Sequence, residues 1–287
     1  MVYLLSAIAS SAMVSIVMRI TEKYVRHAMV MFTANYAVCL LFSRLYIGNT
    51  RFFTQEKGIG AAVVLGVISG FFYLLCFVLL QKNICHNGVI LSSATMKLGS
   101  VLIPVLIAIL LFHEPMGWIQ LAGISIAAAA IVLINMEKGS REKGHISQGR
   151  KKLWLTLLLL GSGLTDTMTN IYDKTGTEVL KNHYLFYTFL AALLTALVMA
   201  LLKKQKIRLA DIGSGLLIGI PNYFSARFLL LSLGKIPAVI AYPVYSSGTI
   251  MITSMAGLLI FNEKLNFHKK LALVLILSAL VLLNLKI

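Results

Sequence analysis

Apolar stretches of helical length follow one another from end to end of this chain, parted only by short polar breaks. Strict alternation of apolar and polar residues is absent, so the stretches read as helices rather than strands. They predict ten helices, at about 3–20, 28–47, 58–80, 88–112, 116–136, 153–172, 184–202, 212–234, 237–261 and 267–285. Runs of about 18 apolar residues are long enough to cross a hydrocarbon core of roughly 30 Å. Backbone groups in lipid must bond internally, which leaves helices or closed barrels as the spanning forms. The expected class is therefore an all-α polytopic membrane protein. Two of the breaks, His113–Pro115 and Asn262–Asn266, are tight enough to be hairpins.

The chain also repeats itself. Gly99–Asn135 aligns without a gap on Gly248–Asn284, so that Phe112–His113–Glu114 falls on Phe261–Asn262–Glu263. Further back, Gly66 and Gly70 fall on Gly215 and Gly219, and Glu22–Lys23 falls on Asp173–Lys174. This divides the chain into a first five-helix repeat at 1–136, a polar linker at 137–152, and a second five-helix repeat at 153–287. Five is odd and successive helices alternate in direction. The second half must then enter the membrane from the opposite side, and the repeats are expected to be inverted about an axis in the membrane plane.

Composition sharpens this picture. The chain is 59% hydrophobic and 13% charged, whereas soluble domains carry about 25% charged residues. The net charge of +16 does not point to nucleic acid, because Lys and Arg gather in the odd-numbered loops. The fifth loop holds Lys138, Arg141, Lys143, Arg150, Lys151 and Lys152, and the seventh holds Lys203, Lys204, Lys206 and Arg208. A positive-inside bias places those loops in the cytoplasm and both termini outside. Cys39, Cys76 and Cys85 form no C-x-x-C pair and read as reduced packing thiols. No Cys/His spacing calls for zinc, and no cofactor is expected.

Two five-helix halves, each with an F-x-E turn (Phe112-x-Glu114, Phe261-x-Glu263) before a final Gly/Ala/Leu-rich helix, resemble the EamA-type branch of the drug/metabolite transporter superfamily. The resemblance covers nearly the whole chain. It implies a ten-helix metabolite transporter whose central cavity is lined mainly by the third, fourth, eighth and ninth helices. Members of that superfamily carry amino acids, nucleotide sugars, sugar phosphates and quaternary amines, so the substrate stays open.

Charged side chains at membrane depth usually face a cavity or a partner, since burying one costs roughly 2.5–3.5 kcal/mol. Lys97, Asp166 and Arg227 lie inside the expected spans. Ser93, Lys97, Ser100 and Pro104 share a face of helix four. Lys97 is either an anchor for a carboxylate or phosphate, or is paired internally with Asp166 or a helix carbonyl. On helix nine, the mate of helix four, Tyr242, Tyr245, Ser246, Thr249 and Thr253 run down one side, and Ser246 takes the place of Lys97. Helix eight carries Asn222, Tyr223 and Arg227, the last being either a bidentate anion fork or a structural ion pair. Asp166 is the acid well inside a span and is open to structural pairing or proton coupling. Glu114 and Glu263 read as caps for the fifth and tenth helices. The paired glycines read as close helix packing.

The leading expectation is a secondary transporter, not an enzyme, for a small polar solute with an anionic group: amino-acid-like, organic acid or phosphorylated. The substrate residues are Lys97, Ser93, Arg227, Tyr223, Asn222, Tyr242, Tyr245 and Ser246, with Asp166 as proton-coupling candidate. The partners are a small-molecule substrate and the lipid bilayer, without nucleic acid, in a monomer or weak homodimer of a plasma (bacterial inner) membrane. The alternatives are a proton-coupled exporter of amphipathic amines, an intramembrane enzyme, or a channel.

Overall fold

A computed structural model describes residues 2–47, 58–112, 117–119, 121–123, 125–126, 129, 148–236, 238–263 and 267–284. Among them the secondary structure is helical throughout, with no strand. We number the helices α1 (Val2–Thr21), α2 (Ala28–Ile47), α3 (Ile59–Phe112), α4 (Gln148–Thr175), α5 (Lys181–Leu202), α6 (Leu209–Leu233), α7 (Ala238–Leu259) and α8 (Phe267–Asn284). A single 3₁₀ turn, Glu178–Leu180, leads into α5. The fifth expected helix, 116–136, lies largely outside the described residues. Val2–Thr21, Ala28–Ile47, Ile59–Pro104, Glu178–Leu202 and Leu209–Leu233 are long and apolar enough to cross a membrane.

The most informative departure is α3. The sequence breaks it at 81–87, yet those residues are helical and the break falls on Gly88 alone (φ 82°, ψ 169°). Polar residues hold the helix together up to that point. Asn83 Nδ2 donates to Leu79 O within the turn and to Trp154 O of α4, at 2.8 and 2.9 Å. The left-handed φ favours glycine, and a Cβ at 88 would stand 2.7 Å from the Glu263 carboxylate.

That carboxylate also corrects the expected role of Glu263. Instead of capping its own following helix, it accepts from Val89 N (2.7 Å) and Ile90 N (3.2 Å), the first free donors after the break. A helix start offers unpaired N–H groups and a positive dipole end, and both suit a carboxylate. Arg19 Nε lies 3.7 Å from the same group. Glu114, its repeat mate, lies outside the described residues.

The helix ends sort into two faces. On the first, Asp211 accepts from Arg26 N (2.9 Å), Gln205 Oε1 accepts from Met29 N (3.1 Å), and Glu263 reaches the break at Gly88. On the second, Asn182 Nδ2 donates to Tyr46 O (3.0 Å) and Lys181 pairs with Asp173 (3.0 Å). Between the faces, glycines let backbones touch. Gly66 and Gly70 of α3 lie against Tyr184 and Thr188 of α5, while Gly215 and Gly219 of α6 lie against Met31 and Asn35 of α2. One buried cluster is rich in stacked rings (Phe32, Tyr36, Tyr73, Phe77, Phe189, Tyr223). A second joins α1, the later part of α3, and α7 through Leu4, Ile8, Leu98, Tyr242 and Tyr245.

Candidate functional site

The helices α3, α4, α5, α6 and α7 surround a cavity of about 50 Å³. That is room for a few waters. Lys97, Asp166, Tyr245 and Tyr184 line it together with hydroxyls from Ser69, Ser162, Thr165, Thr169, Thr188 and Ser225. The break at Gly88 places Lys97 about 13 Å along the helix, by the usual rise per residue. It therefore lies deep between the two faces and is 3% exposed. Its Nζ rests 3.8 Å from the centroid of the Tyr245 ring. A desolvated contact of this kind is worth about 2 kcal/mol, far short of a full counter-ion. Among the described residues no carboxylate lies within 4 Å of that ammonium.

The ring is itself held in place. Tyr245 OH shares a hydrogen bond of 2.9 Å with Ser225 Oγ. Asp166 of α4 lines the same cavity, with Lys97 and Ser100 as neighbours. It keeps intermediate exposure because it borders the cavity. Tyr242 OH donates to the Asp166 backbone carbonyl at 3.3 Å and so ties α7 to α4 beneath the acid. Ser162 Oγ and Ser100 Oγ both donate to Met96 O, at 2.8 and 3.1 Å, which fixes α4 against α3 one residue before Lys97.

The end of the cavity toward the second face is made of hydroxyls. Tyr184 OH donates to Ser69 Oγ (3.0 Å) and lies 3.2 Å from Thr169 Oγ1. Its ring stacks on Tyr172 with centroids 4.2 Å apart. The sequence reading did not single out Tyr184, Ser69, Thr169 or Ser225. Tyr184 sits four residues into its helix, where a tyrosine reads as interface belt, and lone Ser or Thr residues in spans read as packing. Only Asp166, the acid inside the expected span of α4, carried a signal for this wall.

The other expected site residues are placed elsewhere. Arg227 is outside the cavity lining: its NH1 donates to Asn182 Oδ1 (2.7 Å) and Tyr223 OH (3.3 Å), and its guanidinium covers the Tyr46 ring at 3.7 Å. Tyr223 is fully buried between Phe42 and Tyr46. Asn222 accepts from Tyr73 OH (3.1 Å) and donates to Asn35 Oδ1 (3.2 Å), so it borders the cavity only through Tyr73. Ser93 and Ser246 are buried away from the cavity, and neither hydroxyl has a partner. Thr249 and Thr253 return their hydroxyls to their own helix. Cys76 lines the cavity, Cys39 is buried, and Cys85 is exposed. Among the described residues no group of His, Cys, Asp or Glu could hold a metal.

The profile of the EamA-like transporter family matches residues 152–285. Those residues are similar to the EamA-like transporter family. The match falls on the stretch expected to be the second repeat, in agreement with the resemblance to the EamA-type drug/metabolite transporters seen in the F-x-E turns. An uncharacterised protein of Haemophilus influenzae is 22% identical over 96% of this chain and 95% of its own. One solved crystal structure covers 98% of this chain and 94% of its own, with a TM-score of 0.61 and 12% identity. At that identity the likeness speaks to the fold alone. An EamA-like unit and several apolar helices of spanning length make the chain an integral, multi-pass membrane protein. A lipid bilayer is the partner that follows from those helices.

Proposed function

We propose that the chain is a secondary transporter that moves a small solute with an anionic group, amino-acid-like in preference to a phosphorylated one, by alternating access. The observation that carries this reading is Lys97. It is a buried ammonium at the cavity wall, seated on a tyrosine ring, with no carboxylate within 4 Å among the described residues. A buried cation without a close counter-ion is costly, and a ligand's carboxylate would offset that cost. Asp166 in the same cavity lining suits the amine of a zwitterion, and its protonation would couple transport to a proton gradient. We place the cavity between two inverted five-helix repeats, 1–136 and 153–287, joined by 137–152. The swapped glycine contacts support this, since α3 packs on α5 as its mate α6 packs on α2. The first face carries Arg19, Lys23, Arg26 and Lys203, which supports a cytoplasmic orientation in a bacterial inner membrane. The protein works as a monomer or weak homodimer, without cofactor or catalysis.

The test is ligand-dependent thermal stabilisation of the purified protein by amino acids, sugar phosphates and quaternary amines. Stabilisation by one anionic class that disappears in Lys97→Ala is expected. An identical shift in the variant would remove Lys97 from the site. The second reading, export of amphipathic amines, draws on Asp166 among the rings of Tyr184, Tyr245 and Tyr73. A cationic ligand whose effect survives Lys97→Ala but not Asp166→Asn would favour it.

A further inference from the structure

We infer that Glu263 is the latch that closes the first face, and that it must leave its seat for the cavity to open on that side. The inference rests on the transport reading for its purpose, but its geometry stands apart from any substrate.

Glu263 comes from the second half of the chain and reaches into the first. Its two carboxylate oxygens take the N–H groups of Val89 and Ile90, at 2.7 and 3.2 Å. These begin the helical stretch that carries Lys97. Glu263 itself follows the end of α7, the helix that carries Tyr245. One carboxylate thus binds together the first-face ends of the two segments whose side chains meet as Lys97 on Tyr245. Arg19 of α1 completes the group: Nε stands 3.7 Å from Glu263, and NH1 bonds Glu22 and reaches Ile84 O at 3.4 Å. Three separate stretches, the end of α1, the break in α3 and the end of α7, converge here.

The seat is built to fit. Any side chain at Gly88 would press on the carboxylate, and one at Gly257 would collide with Ile90. The cavity meanwhile leans the other way. Tyr184 and Thr169 lie near the second-face ends of α5 and α4. A solute leaving by the first face must part α7 from the later stretch of α3, and the Glu263 bonds lie across that parting.

Cys76 in the cavity wall supplies a reporter. In a Cys39→Ser, Cys85→Ser background, Cys76 is labelled with a membrane-impermeant thiol reagent applied to sealed vesicles from the first face. Glu263→Gln, which keeps the shape and removes the charge, is expected to speed labelling from that face several-fold, and Arg19→Ala to do so less. Ile90→Cys with Gly257→Cys provides the converse. Oxidation of that pair is expected to abolish first-face labelling and solute exchange, and reduction to restore both. Unchanged first-face labelling in Glu263→Gln and Glu263→Ala, or free labelling with the pair cross-linked, overturns the latch. Loss of solute exchange with the labelling pattern intact would count against the transport reading and leave the latch in place.

Discussion

Of the cations that sit over tyrosine rings, the two closest to their rings among the described residues, Arg227 and Lys97, have sharply different surroundings. Arg227 covers Tyr46 at 3.7 Å and also bonds Asn182 and Tyr223. Lys97 covers Tyr245 at 3.8 Å and looks into the cavity. The first is a finished structural joint that fastens α6 to α5 and α2 near the second face. The second is left incomplete: no carboxylate lies within 4 Å of it among the described residues, although Asp166 lines the same cavity. The same ring contact therefore serves two ends, and what separates them is whether the protein itself supplies the remaining partners.

The largest effect should fall on the incomplete cation. Lys97→Ala is expected to weaken binding of an anionic solute about ten- to hundredfold, the value of a hydrogen bond to a charged group. Calorimetric titration measures it, and Lys97→Arg should restore part of the loss. Asp166→Asn comes next. It should flatten the dependence of uptake on an imposed pH gradient while retaining solute binding, and a gradient-driven uptake equal to wild type would remove the coupling role. Tyr184→Phe leaves the stack on Tyr172 and deletes the hydroxyl shared with Ser69 and Thr169. A rise in KM of a few-fold with kcat little changed is expected. Arg227→Ala should have the smallest effect on binding and be felt instead as stability, about 1–2 kcal/mol for lost bonds to a charged group. A scan of thermal unfolding checks it, and a large loss of solute affinity there would erase the contrast between the two cations.

The sequence disclosed the incomplete cation better than the finished one. Lys97 was legible because it lies too far from either helix end for its ammonium to reach the interface. Asp166 was legible for the same reason. Arg227 also lies inside an expected span but near enough to its end to reach the interface, and its partners Tyr46 and Asn182 come from distant helices that no spacing along the chain announces. The α3 boundary failed to show because the polar run Gln81–Asn87 looks like a loop, while Asn83 uses its side chain to continue the helix and bind α4. Glu263 was read within its own turn, where local capping is the ordinary use of such a residue. Its target instead lies across the repeat boundary, at donors freed by the positive φ of Gly88. The hydroxyl wall around Tyr184 was hidden because each member, taken alone, is a common residue of packed membrane helices.

The glycine seams carry a mechanical consequence. At Gly70 a methyl group would run into Thr188 O, and at Gly219 into Asn35 O, so main chain lies directly on main chain. Only the small side chains of Ala191 and Val38 share these joints. The α3–α5 and α6–α2 pairs are therefore joined at backbone distance, and Gly99 of α3 meets Leu159 O of α4 in the same way beside Lys97.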